Sequence, residues 1–266
     1  MDPLPGPRRL DELTGLRVLH RAAGLAGART RGPGDVRFAE GRVAELLGEP
    51  TVLIDPHPGP SVVADGIAAA AAALHADTVV LLDVGGDVLA HGREPGLASP
   101  LADSVLLATA PHLRERHGLR VVGAVFGAGC DGELTPAEVA ARLAEVAAAG
   151  GDLGHLTLDT AALTLLEQAV AVVPTEASAL ALKCAAGHIG RAPIRGGRRQ
   201  VELTPAGGIV AFFDPEAAMR SAARLAHLVR DAPDLEAANA LITSRGIRTE
   251  LAFERAAAAD GPRGGH

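Results

Sequence analysis

The chain has 266 residues and a formal net charge of −7 at pH 7, with no tryptophan or tyrosine and only five phenylalanines. This composition argues against nucleic acid as a partner, because phosphate-binding surfaces are basic and single strands stack on aromatic rings. The two cysteines are too few for a disulfide framework or a zinc site, and without an apolar leader or a membrane-spanning run we expect a cytoplasmic protein with no membrane partner.

Short β-branched runs alternate with Ala- and Leu-rich stretches along the chain, which is typical of βαβ units. The runs predict strands at residues 16–20, 52–55, 78–84 and 120–126, around Leu156, and at residues 169–173, 209–213 and 246–251. The stretches between them predict helices at residues 36–47, 61–76, 101–116, 135–149, 161–168, 175–186, 215–228 and 234–244.

These elements predict an α/β fold with a largely parallel, doubly wound (Rossmann-like) sheet and a C-terminal β-hairpin addition. Residues 1–255 are expected to form a single domain. Within it, residues 1–50 are an irregular N-terminal arm, and residues 188–215 hold the hairpin, which turns at Gly196 and Gly197. Residues 256–266, rich in alanine and glycine, are expected to be a flexible tail.

Polar residues and glycines gather at the ends of four predicted strands. At the end of the run at 52–55 they are Asp55 and His57, and at the end of 78–84 they are Asp83, Gly85, Gly86, Asp87, His91 and Arg93. At the end of 120–126 they are Gly127, Gly129, Asp131 and Glu133, and at the end of 169–173 they are Thr175, Glu176 and Ser178. Because parallel strands end at the same edge of a sheet, where ligands usually bind, we expect these four strand ends to meet in one site.

Carboxylates are the candidate catalytic residues of this site: Asp83, Asp87, Asp131 and Glu133. Carboxylates that lie close together can bind a hard cation such as Mg²⁺, here with Asp83, Asp87 and Asp131 as the ligands. Alternatively, they can act as the general acid and the general base of a reaction. The candidate ligand-binding residues are Gly85, Gly86, His91, Arg93, Gly127, Gly129, Thr175, Glu176 and Ser178. Glycines let a ligand approach the backbone, and amides at a helix start bind anions.

Some of these residues also have a simpler interpretation. Asp131 and Glu133 are suitable caps for the helix that follows them. Cys130 is either a small buried residue or a nucleophile, and the arginine-rich turn at 195–199 is either a solvated turn or a phosphate clamp. No phosphate-loop, dinucleotide-binding, nucleophile-elbow or zinc-protease motif is present.

Four segments carry a family resemblance: Asp83-Val-Gly-Gly-Asp87 with the residues up to 103, Phe126-Gly-Ala-Gly-Cys-Asp-Gly-Glu133 with those up to 136, Val173-Pro-Thr-Glu-Ala-Ser178, and Ile194-Arg-Gly-Gly-Arg-Arg199. They resemble the family named domain of unknown function 1152, uncharacterised archaeal and bacterial α/β proteins, over residues 37–254. The resemblance implies an α/β fold with a site rich in glycine and aspartate, and it implies no particular reaction.

In one respect the chain departs from the pattern that this resemblance implies. Members of the family begin with a strand and a Gly-rich, Asp-bearing turn, and nothing similar precedes Leu16. A missing strand would expose a sheet edge. A homo-oligomer, or a partner subunit that covers the missing N-terminal element, is therefore expected.

Together these observations favour a small-molecule enzyme that acts on an anionic or nucleotide-like metabolite at a carboxylate-rich site, with a divalent cation (Mg²⁺) as the expected cofactor. Two alternatives remain open. One is a non-catalytic ligand-binding or regulatory module. The other is a structural subunit, in which the acidic turns are only caps and no pocket forms where the strand ends meet.

Overall fold

The computed structural model describes residues 6–259. Its strands are Arg17–His20 (β1), Ala23–Ala26 (β2), Thr51–Ile54 (β3), Thr78–Val84 (β4), Arg120–Phe126 (β5), Asp152–Thr157 (β6), Gly190–Ile194 (β7), Arg199–Leu203 (β8) and Ile209–Phe213 (β9). Its helices are Ala39–Leu47 (α1), Gly59–Ala73 (α2), Pro100–Leu107 (α3), Ala110–His117 (α4), Pro136–Ala148 (α5), Thr160–Val172 (α6), Glu176–Ala185 (α7), Pro215–Arg220 (α8), Arg224–Val229 (α9), Leu235–Thr243 (α10) and Glu250–Ala259 (α11). The protein is therefore of the mixed α/β class, as predicted.

Over residues 6–259 the strands form three sheets, in the orders β1-β2-β3, β4-β5-β9-β6 and β7-β8. β4 and β5 are parallel, whereas β9 runs antiparallel to both β5 and β6. The central sheet is thus mixed rather than largely parallel, because the late strand β9 inserts between β5 and β6. β4, β5 and β6 still point in one direction, so their carboxyl ends lie at the same edge.

Several elements lie where the sequence predicts them. β4, β5 and β9 have the predicted bounds, and the hairpin of β7 and β8 turns at two glycines with positive φ angles, Gly196 and Gly197. α5 begins with a capping box in which the Glu138 amide donates to Thr135 Oγ1 at 3.2 Å and the Glu138 carboxylate accepts from the Thr135 amide at 2.7 Å.

The predicted strands at residues 169–173 and 246–251 are wrong. Residues 169–172 are the last turn of α6, a helix capped by Asp159, whose Oδ1 accepts from the Ala162 amide at 2.8 Å. The helix continues through its valines and ends just before Pro174, which disfavours helical geometry in the residue before it. Residues 246–249 are irregular, and Glu250 begins α11. At residues 169–172 the helical context outweighs the strand propensity of the valines.

Two long predicted helices are each divided in two. The helix predicted at 101–116 breaks into α3 and α4 because Pro111 has no amide hydrogen to donate to the preceding turn. The helix predicted at 215–228 breaks into α8 and α9 at Ser221, whose hydroxyl donates back to the Ala217 carbonyl at 2.8 Å.

The ends of the chain also differ from the prediction. Within residues 1–50, expected as an irregular arm, β1 and α1 correspond to the strand and the helix predicted at 16–20 and 36–47. β2 was not predicted, and it is buried along its length between β1 and β3. Of the expected tail, residues 256–259 belong to α11, and residues 260–266 lie outside the described part of the chain. The helices within residues 6–259 are all too short or too polar to cross a membrane.

The core packs against both faces of the central sheet because successive residues of a strand point to opposite sides. On one side, Val125 and Phe213 pack with α5, α8 and α9. On the other side, Ala124 and Phe126 pack with α7 and with the hairpin of β7 and β8. The hairpin is thereby placed beside the carboxyl ends of β4 and β5, where the acidic residues lie.

Candidate functional site

The loop after β4 folds around the carboxylate of Asp83. Asp83 Oδ2 accepts from the amide of Gly86 at 2.8 Å and from that of Val88 at 3.2 Å. Gly85 and Gly86 have φ angles of +142° and +107°, in the region that favours glycine. The tight turn buries the next carboxylate, Asp87, which is 6% exposed.

The loop after β5 is fastened to the loop after β4. The Gly129 amide donates to the Gly85 carbonyl at 2.7 Å, and the Gly85 amide donates to the Phe126 carbonyl at 3.0 Å. The carboxylate of Asp131 lies directly on Gly85, since a Cβ added there would be 2.3 Å from Asp131 Cγ. The glycine therefore makes room for the aspartate.

Gly85→Ala is accordingly expected to destabilise the protein by about 2–4 kcal/mol, because the methyl group meets Asp131 and the backbone angle is strained. Gly118→Ala is the matched control: Gly118 also has a positive φ (+64°), but its added Cβ has no neighbour within 4 Å. Urea unfolding of both variants measures the difference. Equal losses of stability would contradict the close contact.

Five carboxylates meet at this edge, and we refer to them as the acidic cluster: Asp83, Asp87, Asp103, Asp131 and Glu133. They form two overlapping sets of three, each with one oxygen per residue within 4.8 Å of the others. The first set is Asp83, Asp87 and Asp103, and the second is Asp87, Asp131 and Glu133. Asp87 belongs to both sets, so it is the centre of the cluster.

Burial of the acidic cluster disfavours the charged form of its aspartates. Burial raises the pKa of Asp83 to about 6, although the Val88 and Gly86 amides act against it. Burial, with repulsion from Asp83 and Glu133, raises the pKa of Asp131 to about 7. Burial and neighbouring carboxylates likewise raise the pKa values of Asp87 and Asp103 well above the ordinary value.

Glu133 is the exception in the acidic cluster. Its carboxylate is 2% exposed, and it accepts from the Ala98 and Ser99 amides at 2.7 and 2.9 Å, from the Ser99 hydroxyl, and from Arg195 Nη2 at 2.5 Å. Burial alone would raise the pKa of Glu133, but the hydrogen bonds from Ser99, Ala98 and Arg195 outweigh it and lower the pKa. Glu133 is thus a paired, ionised carboxylate.

Asp131 differs from Glu133 because one of its oxygens lacks a partner. Oδ1 of Asp131 is buried and has no hydrogen-bond partner within the described residues. Among the described residues, the acidic cluster makes a single ion pair, between Arg195 and Glu133. A buried carboxylate oxygen without a partner is costly, so a ligand with positive charge would stabilise this arrangement.

Asp103 reaches the cluster from the first turn of α3. The start of this helix is held by two carboxylates: Glu133 accepts from the amides that precede it, and Glu250 accepts from the Leu101 and Ala102 amides at 3.1 and 2.7 Å. Burial also raises the pKa of Glu250. The interpretation of Glu133 as a cap of α5 is thus wrong: Glu133 binds the two amides just before α3, and Glu250 binds those of the first turn of α3.

The hairpin turn closes over the acidic cluster through its arginines. Arg195 pairs with Glu133, and Arg199 Nη1 donates to the Gly96 and Gly132 carbonyls at 2.9 and 2.8 Å. Glu176, at the start of α7, accepts from the Arg195 amide at 2.6 Å. The interpretation of the segment at 195–199 as a merely solvated turn is therefore wrong for Arg195 and Arg199.

Other predicted ligand-binding residues have contacts outside the cluster. His91 Nε2 lies 2.7 Å from Glu145 Oε2 and 2.9 Å from Arg142 Nη1. The side chain of Arg93 is exposed, and its amide, like that of His91, donates to Glu94. This loop is therefore held by hydrogen bonds to Glu94 and by the contacts of His91 with two residues of α5.

Three predicted residues, Thr175, Glu176 and Ser178, lie at the start of α7. Of these, Glu176 is linked to the acidic cluster through the hairpin residue Arg195. Thr175 Oγ1 donates weakly to Ser178 Oγ at 3.4 Å and does not cap the helix. Glu176 binds the backbone of the hairpin turn. Gly127 and Gly129 adopt positive φ angles in the loop after β5 and shape its turn.

Asp55 and His57 do not belong to this edge, because β3 lies in the antiparallel sheet with β1 and β2. Asp55 is buried, and its Oδ1 lies 2.6 Å from His57 Nδ1. The His57 carbonyl accepts from the Leu235 amide at the start of α10. The prediction that four strand ends meet in one site is thus wrong in two respects. β3 belongs to another sheet, and residues 169–173 do not form a strand.

Cys130 is a buried core residue. Its Sγ lies 3.7 Å from Cys184 Sγ, and burial, followed by repulsion from Cys184, raises the pKa of the Cys130 thiol.

A surface groove of about 570 Å³ at α9 and α10, lined by residues such as Leu228, Ala237 and Leu241, includes no member of the acidic cluster.

Sequence reasoning missed Asp103, Ser99 and Glu250 as parts of the site, and it left Arg195 open between a solvated turn and a phosphate clamp. Asp103 carries a weak signal, because it ends the longest segment of the family resemblance. Arg195 carries a clearer one, since it lies beside two glycines in the fourth segment. Nothing in the local sequence around Glu250 connects it with a site about 150 residues earlier in the chain.

Comparison with known proteins places this site in a family. No curated protein and no solved structure matches the chain. A family model described as "Protein of unknown function (DUF1152)" matches residues 1–258 and confirms the resemblance found in the sequence. The segments that carry the acidic cluster and the hairpin turn all lie inside the matched region, and the chain belongs to the DUF1152 family.

Proposed function

We propose that this protein is an enzyme that binds a divalent cation at the acidic cluster and acts on an anionic metabolite, such as a nucleotide. One observation carries the proposal: four aspartates are brought together with no basic partner among the described residues, and Asp131 Oδ1 is buried without a hydrogen bond. Buried like charges are unfavourable unless a cation or protons neutralise them.

The spacing of the oxygens supports a metal ion as the neutralising charge. Mg²⁺ binds oxygen at about 2.0–2.1 Å and Ca²⁺ at about 2.3–2.6 Å, so oxygens on opposite sides of either ion are about 4–5 Å apart. The oxygens of Asp83, Asp87 and Asp103 lie within 4.8 Å of one another. This set, with the free oxygen of Asp131 nearby, is the one we assign to the cation.

Asp131 is our candidate for proton transfer. Its Oδ1 is buried without a hydrogen-bond partner among the described residues, so this oxygen is free to accept or donate a proton beside the bound cation. A bound cation would supply electrostatic stabilisation to the anionic group of the substrate. Asp83, Asp87 and Asp103 would hold that ion in place.

Asp131→Asn is expected to abolish Mn²⁺-dependent turnover and to weaken Mn²⁺ binding at least tenfold, because it removes a charged oxygen beside the cation. Binding is measured by calorimetric titration of metal-free protein with Mn²⁺. Turnover is measured by mass spectrometry of a panel of nucleotides and sugar phosphates incubated with the protein and Mn²⁺. Asp35→Asn is the matched control, because its carboxylate is 87% exposed and pairs only with Arg31 in the described part of the chain.

The outcomes separate the candidate functions. Absence of Mn²⁺ binding to the unmodified protein would contradict the proposal. Tight Mn²⁺ binding without turnover of any tested compound would favour the non-catalytic module, which the deep burial of Asp83 and Asp87 also favours. The doubly wound arrangement, the cytoplasmic location and the homo-oligomer or partner subunit remain predictions.

A further inference from the structure

The second oxygen set of the acidic cluster differs from the first because Glu133 has no free lone pair. An ionised carboxylate accepts about four hydrogen bonds. Glu133 accepts four, from two amides, the Ser99 hydroxyl and Arg195. The set of Asp87, Asp131 and Glu133 therefore already contains its positive charge, which is the guanidinium of Arg195.

Arg195 is held in this position by its backbone as well as by its side chain. Its φ angle is +56°, which is unfavourable for an arginine, and such strain is retained when surrounding contacts enforce it. Glu176 provides one of these contacts by accepting from the amides of Arg195 and Gly196 at 2.6 and 3.1 Å. The turn thus presents an arginine at a position where glycine would be easier.

The guanidinium of Arg195 lies between the buried acids and the solvent. Its side chain is 33% exposed, whereas that of Glu133 is 1% exposed. A guanidinium has five N–H donors, of which Glu133 takes one from Nη2. The remaining donors form a planar fork that suits the oxygens of a phosphate group.

We propose that Arg195 takes the place of a second metal ion. It binds the phosphate group of the substrate together with a single divalent cation, which is held by Asp83, Asp87 and Asp103. This inference rests on the proposed function, since it needs the cation site, and it adds the substrate class and the residue that recognises it. It assigns Glu133 to positioning Arg195 rather than to metal binding.

The test is calorimetric titration of the full chain, first with Mn²⁺ and then, after loading with one equivalent of Mn²⁺, with inorganic phosphate. We expect one Mn²⁺ per chain. Arg195→Ala is expected to weaken phosphate binding at least tenfold while leaving the affinity for the first Mn²⁺ within threefold. Arg195→Lys is expected to recover part of the phosphate affinity, because it keeps the charge but loses the planar fork.

Arg198→Ala is the matched control, because Arg198 lies on the same turn and its side chain donates to the Arg195 carbonyl. It is expected to bind both ligands with affinities within threefold of the unmodified protein. Two Mn²⁺ ions per chain, no phosphate binding to the Mn²⁺-loaded protein, or equal phosphate affinity in Arg195→Ala would overturn this inference and leave the proposed function standing. Failure of Mn²⁺ to bind at all would overturn both.

Discussion

Replacing Asp87 with asparagine is expected to abolish divalent-cation binding and, at high pH, to stabilise the metal-free protein. Asp87 belongs to both oxygen sets of the acidic cluster, so its loss removes a ligand that no neighbour replaces. Burial and repulsion from Asp103 and Asp83 raise its pKa well above the ordinary value. The uncharged amide of asparagine has nearly the same shape and removes that repulsion.

The gain in stability should depend on pH. At low pH, Asp87 is protonated and resembles asparagine, so the two proteins should be similar. At pH 9, Asp87 of the unfolded chain is ionised, and folding must either bury that charge among other acids or take up a proton, so Asp87→Asn should raise the free energy of unfolding by about 1–3 kcal/mol. For a chain of this size, each kcal/mol shifts Tm by about 2–4 °C.

Calorimetric titration with Mn²⁺ measures the first effect. Thermal unfolding at about pH 4 and about pH 9, in the presence of a chelator, measures the second. Asp35→Asn again serves as the control for loss of one negative charge at an exposed position. Unchanged Mn²⁺ affinity in Asp87→Asn would contradict its role as the shared ligand. A lower stability than that of the unmodified protein at pH 9 would contradict the electrostatic argument.

The metal-free protein is expected to lose stability as the pH rises from about 4 to about 8. A group whose pKa is higher in the folded state contributes stability that is present below its unfolded pKa and is lost as the pH rises through the folded value. Burial raises the pKa of Asp83 from 3.8 to about 6 and that of Asp131 from 3.8 to about 7. For Asp83 alone this corresponds to a loss on the order of 3 kcal/mol.

Carboxylates with lowered pKa values act in the opposite direction but in a lower pH range. Burial raises the pKa values of Glu133 and Glu94, but hydrogen bonds outweigh it and the net shifts are downward. Their contribution is present above the unfolded pKa and is lost as the pH falls through the folded value. We therefore expect maximal stability of the metal-free protein at about pH 4, between the ordinary pKa values of the aspartates (3.8) and the glutamates (4.5).

Urea unfolding at pH 5, 6, 7 and 8, with a chelator and then with excess Mn²⁺, measures this dependence. Mn²⁺ should restore most of the stability at pH 8, because ligand binding to the folded state adds stability and ionised carboxylates bind the ion best. A metal-free protein that is more stable at pH 8 than at pH 5 would contradict the raised pKa values.

Part of the site was predictable because it lies within single strand-to-loop segments. Asp83 lies near the end of β4 and Asp87 follows that strand, whereas Asp131 and Glu133 follow β5. Parallel pairing of β4 and β5 is therefore enough to bring them together. The glycine at 85 was predicted to allow close approach of a ligand. In the structure, the group that approaches it is the Asp131 carboxylate.

The remaining members were not predictable, because packing between distant segments selects them. Asp103 looks like an ordinary acid in the first turn of a helix, where it would favour the helix dipole. Only the anchoring of α3 by Glu133 and Glu250 turns it towards the cluster. Arg195 reaches Glu133 across 62 positions of sequence because the hairpin packs on the central sheet.

The sequence by itself determined the local elements and the family: the bounds of β4, β5 and β9, the capping box at Thr135 and the hairpin turn at Gly196 and Gly197. Hydrophobic patterns, caps and glycines act over a few residues, so they can be interpreted without the rest of the chain. The tertiary structure alone decided that β9 separates β5 from β6 and which carboxylates share the buried cluster. Strand order and burial depend on contacts between segments far apart in the chain, and local patterns do not encode those contacts.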